Sequence, residues 1–542
     1  MKKGIVWSIL SLLVSISYGQ SIVSNNERPS LVVAIVVDQM RYDYLIRYWD
    51  KYGNGGFKRM IRDGYNCRNM NYNYVPTYTG PGHASIFTGS TPSVHGIVAN
   101  NWYRKSERDT VYCVEDKSVK TIGAANESGL MSPRNLLTTT IADELKIITN
   151  FKSKTFGISM KDRGAILPVG HSANAAFWYD SKTGYWISSS YYMQQLPEWV
   201  MAFNNQKRSD FYLNKVWEPM LPIQQYTEST ADSTPYEENY KHEKKVVFPY
   251  NFSTTKAQGY EMIRRSPWGN SLTNEFAQQL IKSENLGKNG TTDFLSISFS
   301  CTDYVGHQFG TFAIETEDTY LRLDKDLEQL FNFLDSNLGL NNVLIFLTAD
   351  HGASHNPEFL NDHKIPAGSF PFKSVNDSLN KFLKATYGNE KWINCFDNNQ
   401  IFLNYDALNK KNIEVSTMSK SIINFLMQFK DVYNVLTKEQ LLSQQYTDVP
   451  RLLIQNGIHP KISGDLIMIL NPSVLDWEKL KGTTHAAPWS YDTNVPLLWM
   501  GWNIKPGYTD EEMFINDIAP TLSVMLGTAF PNGKTGKVRV IK

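Results

Sequence analysis

The stretch Leu31-Val-Val-Ala-Ile-Val-Val37, followed at once by Asp38, decides the fold class of this 542-residue chain. Seven consecutive apolar residues, most of them β-branched, leave no polar face, so the run reads as a strand buried on both sides of a parallel sheet. Two later stretches repeat the pattern. Phe294-Leu-Ser-Ile-Ser-Phe-Ser300 runs into Cys301-Thr302-Asp303, and Val343-Leu-Ile-Phe-Leu347 runs into Thr348-Ala349-Asp350-His351. Helical spacing of apolar residues marks Leu136 to Ile148, Asn274 to Ile281, and Thr316 to Leu338. Alternating strands and helices predict an α/β three-layer sandwich around a central, mostly parallel sheet. Such sheets bind ligands at the carboxyl ends of their strands, so Asp38, Asp303 and Asp350 are expected to converge across hundreds of intervening residues.

Composition narrows the function. Lys and Arg number 54 against 53 Asp and Glu, a net charge of +1, which argues against a global electrostatic grip on a nucleic-acid polymer or a membrane. Apolar residues at 42% and charged residues at 20% exclude a disordered chain and a polytopic membrane protein. The four cysteines, Cys67, Cys113, Cys301 and Cys395, form no C-x-x-C pair, which excludes a thiolate zinc finger. At the N-terminus Lys2 and Lys3 precede the apolar stretch Ile5 to Ile16, and Ser17-Tyr18-Gly19 offers small residues at a cleavage site. Residues 1–19 therefore read as a signal peptide cleaved after Gly19, and the mature protein as periplasmic or secreted. The apolar stretch falls short of the roughly 20 residues a membrane span needs, so no membrane attachment is expected after cleavage. Export permits disulfides, and proximity along the chain pairs Cys67 with Cys113 and Cys301 with Cys395.

Candidate metal ligands accumulate near the strand ends. Asp303 and His307, spaced i, i+4, share one face if a helix starts there. Asp350-His351 supplies two more, and Gly482-Thr-Thr-His485-Ala-Ala-Pro488 offers an imidazole in a loop of small residues. His83, His355 and His363 read as supporting or structural residues. Between the first two strands, Pro76-Thr-Tyr-Thr79-Gly-Pro-Gly-His83 sets a hydroxyl just before a Gly-Pro-Gly turn and an apparent helix start. Thr79 is then either a helix N-cap or a nucleophile that a divalent metal activates by lowering the pKa of its hydroxyl.

The ordered set Asp38, Thr79-Gly-Pro-Gly-His83, Asn100, Lys161-Asp162-Arg163, Asp303-x-x-x-His307, Asp350-His351-Gly352 and His485 resembles the alkaline phosphatase superfamily. Within it the likeness is to the PafA-like bacterial periplasmic alkaline phosphatases, which are related to nucleotide pyrophosphatases/phosphodiesterases. The resemblance implies an alkaline phosphatase-like fold and two zinc ions. One zinc would be held by Asp38, Thr79, Asp350 and His351, the other by Asp303, His307 and His485. It further implies a covalent phosphothreonine at Thr79, with Asn100, Lys161 and Arg163 binding the phosphoryl oxygens.

Lys161 and Arg163 favour the dianion of a small phosphate monoester over a diester, since charged hydrogen bonds contribute roughly 1.5–3 kcal/mol each. A phosphodiesterase or nucleotide pyrophosphatase of the same superfamily is the nearest alternative, and a non-catalytic periplasmic metal-containing binding protein a more distant one. Sulfatases need a C/S-x-P-x-R motif, which none of the four cysteines provides. Residues 20–542 are expected to form one discontinuous catalytic domain, monomeric, with cap-like insertions at about 170–285 and 360–465. The aromatic-rich segments Phe177-Trp178-Tyr179, Tyr185-Trp186, Tyr191-Tyr192 and Phe211-Tyr212 would pack that first cap or form a glycan-binding face.

Overall fold

The apolar run at 31–37 forms a strand whose every residue is buried. The computed structural model describes residues 28–241, 245–476 and 480–541, so the expected signal peptide at 1–19 lies outside the described residues. Ten strands make the central sheet. In chain order they are β1 (Leu31–Val37), β2 (Tyr65–Cys67), β3 (Thr121–Ile122), β4 (Thr155–Ser159), β5 (Ala175–Asp180), β6 (Tyr185–Ser189), β7 (Asp293–Phe299), β8 (Val343–Thr348), β9 (Leu497–Gly501) and β10 (Gly507–Thr509). Their spatial order is β10-β2-β9-β8-β1-β7-β4-β5-β6-β3. The middle strands β8, β1, β7, β4 and β5 are mutually parallel. Antiparallel pairings flank them, β9 with β8 and β2 on one side, β6 with β5 and β3 on the other. The sheet is thus mixed, and parallel where its strands are apolar on both faces.

Six helices matter for the site: α1 (Thr79–Thr88), α2 (Ile141–Ile148), α3 (Asp162–Ile166), α4 (Trp268–Ser283), α5 (Cys301–Phe309) and α6 (Ile314–Leu338). Side chains alternate between faces along a strand, so strand register tells which face each helix covers. Phe87 of α1 packs edge-on against Phe294 of β7. Phe276 of α4 packs against Phe177 of β5, which lies level with Ile158 and, through it, with Ile297 of β7. Residues 294 and 297 point to opposite faces, so α1 and α4 sandwich the sheet. The predicted three-layer α/β architecture is present.

Three expectations need correction. Residues 175–189, placed in an insertion from the sequence, are strands β5 and β6 of the central sheet, and α4 also belongs to the sandwich. Their aromatics fill the core: Trp178 and Trp186 are buried, and Trp186 stacks on Phe276 with ring centroids 4.2 Å apart. Aromatic density was therefore a sign of a strand with two covered faces. The second insertion, expected to end at about 465, runs on into the strand Leu466–Leu470, which joins a four-stranded sheet with Ile393–Asp397, Gln400–Leu403 and Val432–Thr437. That sheet has its own apolar core, including Leu379, Ile401, Met418, Ile422 and Met468. Finally, all four cysteines are free. Cys67 lies in β2 and Cys301 opens α5, whereas Cys113 stands beside Gly80 and Cys395 lies in the small sheet, so neighbours in sequence are not neighbours in space. Among the described residues no helix is long and apolar enough to cross a membrane.

Ile35 is fully buried in β1, level with Ile297 on one side and Leu347 on the other. Ile35→Ala is expected to destabilise the fold by about 2–5 kcal/mol, because the removed methyl groups leave a cavity that strands cannot close. Urea unfolding should show this as a lower midpoint with an unchanged slope.

Candidate active site

Parallel register brings the strand-end residues to one level. Val37 lies opposite Phe299, Val36 opposite Thr348 and Ser298 opposite Ser159. Two residues further on, each chain turns out of the sheet, and Asp38, Asp350 and Lys161 meet. The Asp38 N–H donates to the Phe299 carbonyl at 3.0 Å, which prolongs β1 by one rung. Helix α5 starts at Cys301, so Asp303 and His307 do share a face, with His307 Nε2 3.1 Å from Asp303 Oδ1. His485 arrives from the distant loop with Nε2 3.6 Å from the same oxygen, and its ring stacks on His351 with centroids 3.5 Å apart.

Two candidate metal groups result, Asp38 with Asp350 and His351, and Asp303 with His351 and His485, the possible ligand atoms of each lying within 4.8 Å of one another. His351 stands between the two groups. His307 joins the second through Asp303. The donor set fits divalent cations on two counts. First, Asp38 Oδ1, Asp350 Oδ2 and His351 Nε2 are buried and receive no hydrogen bond. Three buried carboxylates face the single ammonium of Lys161, whose Nζ lies 2.7 Å from Asp38 Oδ2 and 2.6 Å from Asp303 Oδ2. Second, each imidazole is oriented from behind. Nδ1 of His307 donates to the Thr483 carbonyl at 2.7 Å, that of His351 to Gly352 at 2.9 Å, and that of His485 to Thr77 at 2.6 Å. Each Nε2 lone pair is thereby aimed into the cluster, as a metal ligand requires.

The electrostatics express the same shortage of positive charge. Burial, then the neighbouring Asp350, pushes the Asp38 carboxyl well above its usual range. Burial likewise raises Asp350 to about 7 and lowers His351 to about 4. Burial opposes ionisation of Asp303 too, but His307 and Lys161 together hold its carboxyl well below the usual range.

Thr79 is the first residue of α1, with Tyr78 as the cap and no side-chain capping bond, so its hydroxyl is not the helix cap. Thr79 is buried, and Lys161 Nζ lies 3.4 Å from its Oγ1. Gly82 makes this placement possible. A Cβ there would lie 2.3 Å from the Asp350 carbonyl, so only glycine lets the first turn of α1 press against the Asp350 backbone. Asn100 is latched beside the helix, its Oδ1 accepting the Gly80 N–H at 2.8 Å. Arg163 donates from Nη1 to the Tyr112 hydroxyl at 2.9 Å, and that hydroxyl donates to Asp162. Lys161, expected at phosphoryl oxygens, is here ion-paired to Asp38 and Asp303, the nearest negative charge in a dry site. His83 joins neither group. It donates to the Thr79 carbonyl at 2.9 Å and pairs with the Ser298 hydroxyl at 3.0 Å. His355 bonds Thr311 and His363 bonds Phe359.

Three supporting residues escaped the sequence reading. Tyr112 holds Arg163, Gln39 touches Asp303, and Asp492 accepts the Ala487 N–H at 2.7 Å while its carbonyl takes the Gly352 N–H. Only Gln39 carried a legible sign, a polar residue directly after a strand-end acid.

Residues 32–490 match the family described as type I phosphodiesterase/nucleotide pyrophosphatase, and the chain belongs to that family. Its similarities within it are specific. It is 47% identical over 516 residues to alkaline phosphatase PhoV of Synechococcus elongatus, spanning 94% of this chain and 92% of that one. It is 44% identical over 514 residues to a Myroides odoratus protein named calcium-transporting ATPase, spanning 94% of each. The crystal structure of alkaline phosphatase PafA superposes with a TM-score of 0.92 at 42% identity, covering 95% of this chain and 99% of that one.

Asp492 links the loops of His351 and His485, and burial pushes its carboxyl up to about 8. The folded state therefore keeps a proton that the unfolded chain, with a carboxyl near about 3.9, has lost. Stability from this group is complete below about pH 4 and is lost as pH rises towards 8. Asp492→Asn should flatten the fall in unfolding free energy across that window, measured by urea unfolding at a series of pH values.

Proposed function

We propose that this chain is an exported hydrolase of small phosphate monoesters, an alkaline phosphatase, that works through a phosphothreonine at Thr79. The observation that carries the reading is the uncapped Thr79 hydroxyl at the start of a buried ten-residue helix, beside Lys161 and a double Asp/His cluster. Similarity to PhoV and PafA along nearly the whole chain supports the activity. Two zinc ions are the proposed cofactors, one held by Asp38, Thr79, Asp350 and His351, the other by Asp303, His307 and His485. Bound there, they would supply Lewis acidity that lowers the pKa of the Thr79 hydroxyl and stabilises the departing alkoxide.

The chain's own residues do the rest. Thr79 loses its hydroxyl proton to solvent, Oγ1 bonds to phosphorus, and the ester oxygen departs and takes up a proton to leave as the alcohol. Water then adds to phosphorus opposite Oγ1, the Oγ1–phosphorus bond breaks, one water proton passes to Thr79 Oγ1 and the other stays with the inorganic phosphate. Amide groups at the start of α1 favour an anion at that position. Asn100 offers amide donors to the phosphoryl oxygens, and Arg163, held by Tyr112, offers a planar fork. Lys161 adds a point charge that its pairing with Asp38 and Asp303 keeps within reach of Thr79. A dianionic phosphoryl group uses all these cations, whereas a diester places a neutral ester oxygen against one of them. The terminal phosphoryl group of a nucleoside triphosphate is also a dianion, which accommodates the name of the Myroides relative. Export rests on the N-terminal signal pattern, and a monomeric state is proposed with it.

Thr79→Ala should abolish turnover of an aryl phosphate, and elemental analysis of the native protein should find two zinc ions per chain. Lys161→Ala and Arg163→Ala are each expected to lower kcat/KM for a monoester about 10- to 100-fold, as losing a charged hydrogen bond of roughly 1.5–3 kcal/mol implies. A diester with the same leaving group should lose much less. A native protein that prefers the diester would replace this reading with a phosphodiesterase.

A further inference from the structure

Gln39 follows Asp38 with φ of 63°, the left-handed region that residues other than glycine, asparagine and aspartate seldom enter. Such backbone strain persists only where the surroundings over-determine it. Here the surroundings are the carboxylates of both candidate metal groups. The Gln39 N–H donates to Asp350 Oδ1 at 3.1 Å, and the side-chain Nε2 donates to Asp303 Oδ1 at 2.7 Å. Its covalent neighbour Asp38 completes the set. One residue, 2% exposed, thus touches an acid of the first group through its backbone and an acid of the second through its side chain.

The opposite wall is built to admit it. Gly306 of α5 lies between Asp303 and His307 in sequence, and a Cβ there would stand 2.0 Å from Gln39 Oε1. The amide therefore fits only because position 306 has no side chain. A left-handed turn, a matching glycine and two hydrogen bonds to two separate acids have one physical consequence. Asp303, carried by a helix, is fixed relative to Asp38 and Asp350, carried by strand ends.

Resting on the two-metal reading above, we propose that Gln39 is a positioning residue that sets Asp303 for the ion shared with His307 and His485. The carboxamide serves that ion selectively, while the backbone N–H serves Asp350 whatever the side chain. Gly306 is its steric complement. The charge balance suits the role, because a neutral amide orients a carboxylate without cancelling the negative charge a cation needs.

The experiment reads zinc rather than turnover. Native protein, Gln39→Met and Gly306→Ala are dialysed against chelators of graded strength and their zinc content and two dissociation constants measured. Gln39→Met keeps length and loses the amide donor. It should hold one zinc as the native protein does and bind the other about 10- to 100-fold more weakly, the range for lost support behind a metal ligand. Gly306→Ala should give the same selective loss by displacing the amide, and in a Gln39→Ala background it should add less than about twofold, since the two changes act on one contact. Metal-free Gln39→Met should melt within the error of the metal-free native protein. Equal zinc binding in both single variants, equal weakening of both ions, additive effects in the double variant, or a lowered melting temperature without metal would each overturn the assignment. If Gln39→Met does not fold, Gly306→Ala decides alone. Native protein that binds no zinc would instead overturn the two-metal reading itself.

Discussion

Three carboxylates buried against a single ammonium are the constraint on which the rest of this structure depends. Asp38, Asp303 and Asp350 reach one point because β8, β1 and β7 are neighbours in parallel register and end together. Placing such charges in a dry interior is costly unless they are paired or bound to metal. Lys161 compensates part of the charge from the end of β4. The remaining deficit makes sense of features that would otherwise be unrelated: carbonyls behind three imidazoles, a glycine at 82 that lets α1 press on Asp350, and a strained Gln39 between the two groups.

The segment that leads to Thr79 is held from the far side by the smaller sheet. Val75, four residues before Thr79, packs with Leu436, Leu453, Ile454 and Ile467, and its N–H donates to the Leu453 carbonyl at 3.1 Å. Gly457 is pressed against the same segment so closely that a Cβ would lie 1.7 Å from the Val75 carbonyl. The inserted region with its own core therefore acts as a buttress for the approach to Thr79. His485 is tied to that approach as well, through its hydrogen bond to Thr77. Thr79 and the distant His485 share one support, so a disturbance in either is felt by both.

Legibility in the sequence followed the range of the interactions involved. Leu31–Val37 was readable to the residue because an unbroken apolar run has one stable environment, and Asp303 and His307 were readable because helical spacing is local. The same logic misled at 175–189. Strands covered on both faces and a packed cap can carry the same aromatic composition, and only the pairing of β5 with β4 separates them. Cysteine pairing from proximity failed for a related reason, since chain distance says little about spatial distance in a discontinuous domain.

By itself, the sequence determined the α/β class, the strand-end acids, the histidines beside them and the hydroxyl before Gly-Pro-Gly, because each rests on local periodicity or on the chemistry of a residue type. Tertiary structure alone decided that His351 stands between the two groups, that the Thr79 hydroxyl is no helix cap, and that Gln39, Tyr112 and Asp492 support the site. Those outcomes depend on strand register and on the fit of a side chain against backbone from elsewhere in the chain. Neither is fixed by the residues nearby, so the same glutamine after an aspartate could equally have pointed to solvent.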